Sequence, residues 1–410
     1  MTKTINQKLH IFWLHTHFLY WMGGTKFIYE LIKVFKPKYK VTVIVENASK
    51  IAITNYKNLG VELVSLNTST STSVLYWLMF PLYLYLDKVR ILNIIQTSLR
   101  SDESGIIISN MFPMNYVANY VGGILSLKHV QYCFEPFAFF HDKEFINNFD
   151  ALKRFFISIL AYFYKTIDIT ATACADVVIT LNHTTAKYIK EIYSVNPVIS
   201  YAGIDIDHFK PYTNQVLSNK YRDYKIIIHS TDYSPVKNTD LMIKIFAKVK
   251  ERIPEARLLI TSTIDNQGAQ ISLRHIADIL GVTDSIEFLG FVDYQVLPQL
   301  YSLAYVLVQC SHSERSGTTS MALPVKEAMA CGTPAIRYPV KGEDVIDNKS
   351  GFLVDPRDES KMVARIVTLL TMSKEIRRLF SNVARKAIVS KFSWDKTAEV
   401  IENVFYNTKI

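Results

Sequence analysis

Two kinds of apolar pattern alternate along the chain. Short continuous runs rich in Val and Ile, bounded by polar residues or glycine, occur at Lys40–Ala48, Gly60–Leu66, Gly105–Asn110, Lys128–Glu135 and Asp176–Asn182. Runs of this length and composition predict strands. Between them lie helix-length stretches such as Thr25–Phe35 and Thr184–Tyr193. The pattern then restarts, with strands expected at Lys225–Thr231, Ala256–Ser262, Ser285–Phe291, Ala304–Cys310 and Pro334–Tyr338. Thr239–Arg252 places apolar residues at Leu241, Ile243, Ile245, Phe246 and Val249, a helical spacing, and Leu273–Val282 reads as a further helix. Strands apolar on both faces, alternating with helices, predict parallel sheets covered on both sides.

The expected fold class is therefore α/β, with two doubly wound parallel-sheet domains facing a cleft. The expected boundaries are 1–203, 204–390 and a last helix within 391–410 that returns to the first domain. A length of 410 residues accommodates two domains of about 200 residues. In open α/β sheets ligands bind at the carboxyl ends of the strands.

Composition adds three things. The apolar content is weighted to aromatics, 24 Tyr and 23 Phe, which draws attention to two segments. Val74–Leu86 holds Pro81 and is followed by Asp87-Lys88-Val89-Arg90; Phe155–Tyr164 follows Lys153-Arg154. Neither reaches the roughly 18–20 apolar residues of a spanning helix. Each reads either as an interfacial helix on an anionic membrane or as a core helix of a large domain. Charge is lopsided: residues 1–200 carry 19 Lys/Arg against 13 Asp/Glu, and the remainder 27 against 24. A basic first half suits a phosphate-bearing ligand or an anionic membrane, with Lys33, Lys36 and Lys38 as candidate contacts, or is simply a solvated face. Finally, Cys133, Cys174, Cys310 and Cys331 are scattered with no CxxC pair, which argues against structural zinc and a disulfide framework. The N-terminal run Ile11–Met22 contains two histidines and ends in Gly23-Gly24, unlike a signal peptide, so a cytoplasmic, reducing location is expected.

Neither GxxxxGK[ST] nor GxGxxG occurs, yet two loops suit an anion. Gly23-Gly24-Thr25 opens the first helix, where adjacent glycines let backbone N–H groups approach a phosphate, though tight-turn packing explains them nearly as well. Gly317–Ser320 precedes the Pro324 helix and offers the N–H groups of Thr318, Thr319 and Ser320. Lys237 lies between a strand and a helix that Asn238 or Thr239 is expected to cap, a place from which it would neutralise a diphosphate. Glu327, about four residues into the Pro324 helix among Ala, Met and Val, is costly unless paired and suits a vicinal diol such as a ribose; its alternative is a helix-dipole partner.

These residues carry a specific resemblance. "SPVKNTDLMIKIF", "IEFLGFV", "LPQLYSLAYVLVQCS", "LPVKEAMACGTPAI" and "VIDNKSGFLVDP", in that order, resemble the C-terminal domain of the family 4 (group 1) retaining glycosyltransferases of the GT-B fold. "GGTKFIYEL", "AGIDIDHFKP" and "KFSW" are similar to that family's glycine loop, interdomain segment and returning helix. The resemblance implies hexose transfer from a UDP- or GDP-linked sugar to a lipid-linked or glycan acceptor, with retention, without metal or other cofactor and without nucleic acid. It implies that Lys237 holds the diphosphate, Glu327 the ribose, and Gly290–Val292 the base, with Gly23 and Gly24 near the phosphates. Asp205 and Asp207, in the interdomain segment, are then no metal site. Three positions depart from the family: Asp232 stands where it commonly has arginine, Thr319 where it has glutamate, and Phe134 where it has histidine. Arg315 and the hydroxyls of Thr318, Thr319 and Ser320 are candidate replacements at the donor, and Glu135 and His141 are the candidate catalytic groups. The alternative reading is a degenerate, non-catalytic subunit that binds a partner or glycan.

Overall fold

The computed structural model describes residues 8–21, 23–68, 76, 78–147, 149–262, 266–311, 323–339 and 344–406. Arg315, Gly317, Thr318, Thr319 and Ser320 lie outside the described residues, as do Met22, Val74, Leu75, Trp77 and Glu314. The chain divides into two compact units, one of Met1–Ala202 with Thr397–Ile410 and one of Gly203–Lys396.

The first unit is built on seven parallel strands: β1 (Lys8–Phe18), β2 (Lys40–Ala48), β3 (Glu62–Ser65), β4 (Glu103–Ser109), β5 (Lys128–Tyr132), β6 (Val177–Thr180) and β7 (Val198–Ile199). Their order is β3-β2-β1-β4-β5-β6-β7. Parallel pairing requires crossovers, here the helices Gly24–Phe35, Lys50–Leu59, Phe80–Ser98, Met114–Leu125, Ala151–Ala173 and His183–Tyr193. Strand residues such as Phe12, Leu14, Ile44 and Ile107 pack against Ile91, Ile95, Val117 and Val121 of two of those helices. Caps match the sequence: Ser49, Asp150 and Asn182 each accept a backbone N–H, and Gly60 ends its helix at φ 67°.

The second unit has six parallel strands: β8 (Lys225–Thr231), β9 (Ala256–Ser262), β10 (Ile286–Phe291), β11 (Val306–Val308), β12 (Ala335–Arg337) and β13 (Gly351–Leu353), ordered β10-β9-β8-β11-β12-β13. One core joins Ile227, Leu258, Val306 and Ile336 of the sheet to Met242, Phe246, Met362 and Ile366 of the helices Thr239–Arg252 and Glu359–Thr371. The expected fold class, two doubly wound parallel sheets, is present.

Three details differ from the pattern reading. Pro81 does not interrupt an apolar segment; it sits at the start of the Phe80–Ser98 helix, where its missing N–H costs nothing, and Asp87–Arg90 fall inside that helix. The short strands β7 and β13 carry too few apolar residues to stand out in sequence. Asn238 holds the N-terminal position of its helix at φ 49°, but its side chain makes no cap and instead donates to the Cys310 carbonyl at 3.2 Å.

The last helix, Trp394–Tyr406, begins in the second unit and its residues from Thr397 group with the first. Within the first unit it is held by Lys38–Glu402 (2.9 Å), by Lys128 donating to the Val404 carbonyl (2.6 Å) and by Phe405 against Phe35. Among the described residues no helix is long and apolar enough to cross a membrane.

Candidate functional site

In the second unit, β8 is followed along the chain by β9 on one side, while β11 lies on its other side. The strand order therefore reverses between β8 and β11, and the loops leaving their carboxyl ends diverge around a crevice. The β8 loop carries Asp232 to Lys237. The β11 segment carries Gln309, Cys310 and Ser311. The Asn238–Cys310 bond ties the two together.

The Lys237 side chain is only 14% exposed and its ammonium lies 4.0 Å from the Asp232 carboxylate. Burial pushes the Lys237 ammonium down and Asp232 acts against that shift. Asp232 is also held locally, accepting from the Ser234 backbone N–H at 2.9 Å and from its hydroxyl. Beneath the loop runs a buried chain: His229 bonds the Val308 carbonyl (2.9 Å) and the Thr239 hydroxyl (3.2 Å), which donates to Thr231 (2.8 Å). This chain fixes the helix start that follows Lys237, and His229 is kept neutral by burial, its pKa lowered to about 4.

Glu327 is the fifth residue of the Leu323–Ala330 helix, in the second turn rather than the first. Its Oε2 accepts from the Tyr301 hydroxyl at 3.2 Å. Burial first, and the Glu327 charge next, hold the Tyr301 phenol well above its usual range. Tyr301, from the Leu297–Leu303 helix, is the partner that makes an acid tolerable there; a lone Tyr in an apolar helix gave no sequence signal. Gln309 Oε1 and Ser311 Oγ, at the carboxyl end of β11, are buried and have no hydrogen-bond partner among the described residues. Gly290 adopts φ 64° at a bulge near the end of β10, and Val292 follows it, half-buried.

In the first unit the order reverses between β1 and β4. Gly23, at φ 51°, and Gly24 open the Gly24–Phe35 helix at this point. A Cβ on Gly23 would meet nothing within 4 Å, whereas one on Gly24 would approach the Phe134 ring to 3.1 Å. Phe134 thus covers the glycine turn, packed also on Phe27 and Tyr132. The Trp13 indole donates to Asn110 at 2.7 Å, tying β1 to the end of β4.

Glu135 and His141 have different surroundings. Glu135 reaches solvent, yet the protein around it, and Asp142 secondarily, raise its carboxyl. The His141 side chain is 3% exposed and its Nε2 lies 2.9 Å from Asp168 Oδ2. Asp168 also accepts from the Tyr193 hydroxyl (2.9 Å) and Asn115 (3.0 Å). Asp168 could have been noticed as the only acid in Ala151–Ala173. The Asp205 carboxylate accepts from the Asp207 and His208 N–H groups and so builds a turn. No cluster of metal-ligating side chains occurs among the described residues.

Residues 213–387 match the family described as Glycosyl transferases group 1. A D-inositol 3-phosphate glycosyltransferase 2 of Catenulispora acidiphila is 27% identical over 225 residues, covering 52% of this chain and 50% of that protein. A D-inositol 3-phosphate glycosyltransferase of Salinispora arenicola is 31% identical over 42% of this chain and 38% of its own. The chain thus spans about half the length of the curated relatives it matches. A solved glycosyltransferase from Rickettsia africae superposes with TM-score 0.75 at 14% identity, over 98% of this chain and 99% of that one. Anabaena HepE, solved with UDP, gives 0.71 at 16% identity, over 96% and 99%. These likenesses establish the GT-B fold. The domain at residues 213–387 is thus similar to the group 1 glycosyl transferases.

Proposed function

We propose that the chain transfers a hexose from a UDP- or GDP-linked sugar to a lipid-linked or glycan acceptor at a membrane surface, with retention and without a metal. The carrying observation is Lys237, largely shielded at the point where the second sheet reverses, with Glu327 on the next described helix after β11. A buried ammonium there is a ready partner for a diphosphate, and Glu327 can accept from a ribose diol. The UDP in HepE and the sugar-transferring names of the relatives support this reading.

In the reaction the bond from the sugar C1 to the β-phosphate oxygen breaks and the acceptor oxygen bonds C1. The acceptor's proton leaves to the diphosphate or to a base. Lys237 and backbone donors stabilise the charge that grows on the leaving diphosphate, which is the work a metal does elsewhere. Glu135, with its raised carboxyl, suits the base; His141, clamped by Asp168, orients the Phe134–Asp142 segment.

The second reading, a non-catalytic subunit, is favoured by Asp232, whose carboxylate occupies the neighbourhood of Lys237. Hydrolysis of a panel of UDP-, GDP- and ADP-sugars, with and without chelator, separates the two. Slow turnover of one donor, unaffected by chelator and releasing the sugar with its original anomeric configuration, is expected. Binding of a donor with no turnover would establish the non-catalytic reading instead.

A further inference from the structure

The two aromatic segments are one surface. The Phe80 ring meets Tyr164 edge-on at 4.8 Å, and Leu84, Leu160 and Ala161 join the same cluster. The start of the Phe80–Ser98 helix therefore packs against the middle of the Ala151–Ala173 helix. In a parallel sheet, crossover helices begin where strands end, so this surface belongs to the carboxyl edge of the first sheet.

Packing consumes only one face of each helix. On the longer one Leu152, Phe155, Phe156, Ile159, Tyr162 and Phe163 are exposed, Tyr162 at 81% and Leu152 at 66%. On the other, Leu82 and Tyr85 are exposed, preceded by Leu78 at 67%. Residues spaced 152, 155, 159, 162 follow one helical stripe. Water-facing helices do not usually carry such a stripe; contiguous exposed apolar surface marks an interaction site.

Charge identifies the occupant. The exposed charged side chains of the two helices are all cationic: Lys153, Arg154, Lys165 and Arg90, with Lys88 half-buried over the Tyr120 ring. The only acids in these helices, Asp87 and Asp168, are buried and hydrogen-bonded inward. Exposed Asp150, the cap of the longer helix, pairs with Lys153 at 3.1 Å, so the face keeps a cationic surplus rather than cations alone; aromatic and aliphatic side chains beside such a surplus match a bilayer bearing anionic headgroups. The lysines that the sequence suggested for this task are engaged elsewhere: Lys33 with Glu30, Lys36 with the Leu59 carbonyl, Lys38 with Glu402.

We propose that the exposed amino-terminal half of the Ala151–Ala173 helix, with the start of the Phe80–Ser98 helix packed against its middle, forms a docking surface for an anionic lipid bilayer. It deepens the membrane-surface element of the proposed function and rests on that element, not on sugar transfer. Docking would hold the carboxyl edge of the first sheet at the headgroups.

Flotation of the full chain with phosphatidylcholine vesicles, with and without phosphatidylglycerol, tests it. The chain is expected to float with the anionic vesicles. Phe155→Ser/Tyr162→Ser and Lys153→Glu/Arg154→Glu are each expected to lower partitioning on the order of tenfold or more. Lys33→Glu is expected to leave it unchanged. The single variants Phe155→Ser and Tyr162→Ser repeat the test should a double variant fold poorly. No flotation of the wild type, or equal flotation of all variants, overturns the proposal. So does a stable dimer that these substitutions dissociate, because a second copy would then cover the face. Nucleotide-sugar binding measured on the same variants is expected to persist, so failure of docking is distinguishable from failure of the transferase reading.

Discussion

Asp232 and Lys237 set the terms at the residue scale. A carboxylate 4.0 Å from the ammonium competes with any diphosphate for it. Asp232→Asn keeps the acceptor for Ser234 but removes the charge, and is expected to tighten nucleoside-diphosphate binding a few-fold by calorimetry; weaker binding would show that Asp232 serves the ligand. Glu327→Gln is expected to weaken the same binding about tenfold, the scale of one charge-assisted hydrogen bond. An unchanged Kd would assign Glu327 to contacts within the protein, such as Tyr301. The sequence exposed Lys237 and Glu327 because cations and acids stand out in apolar surroundings. It concealed their partners: Asp232 looked like an isolated departure, and Tyr301 like one more core aromatic.

The elements explain why the sheets were legible and the first unit's polar site was not. Parallel strands buried on both faces announce themselves as apolar runs, whereas contacts such as His141–Asp168 join residues 27 apart on different helices. That buried set behaves as a unit, so removing one member strands the others. A double-mutant cycle of His141→Ala and Asp168→Ala is expected to show coupling of about 1–3 kcal/mol in urea unfolding; additivity would mean the pair does not act together. In the second unit, a Cβ on Gly351 would fall 1.9 Å from the Ala335 carbonyl oxygen of the neighbouring strand. Gly351→Ala is therefore expected to cost about 3 kcal/mol or more. A loss below about 1 kcal/mol would contradict the β12–β13 register.

For the molecule as a whole, buried titratable groups shape stability against pH. Burial raises Glu46 to about 8, while the Tyr76 hydroxyl donates to its Oε1 at 2.9 Å. Its unfolded carboxyl ionises from about pH 4.5, so the folded state holds the extra proton and stability falls as pH rises from about 4.5 to 8. Burial lowers His15 and His129 to about 3, so on acidification the unfolded state takes protons first and stability falls below about pH 6.5. Glu46→Gln is expected to flatten the alkaline limb of the melting-temperature profile and leave the acid limb. A profile parallel to wild type would remove Glu46 as its cause.

The central claim is that Lys237 and the edge of the second sheet bind a nucleoside-diphosphate sugar. Thermal shift of the wild-type chain and of Lys237→Ala against UDP-, GDP- and ADP-sugars tests it most directly. The account predicts that at least one donor raises the wild-type melting temperature and that the rise is lost in Lys237→Ala. No stabilisation by any donor, or an equal rise in the variant, would contradict it.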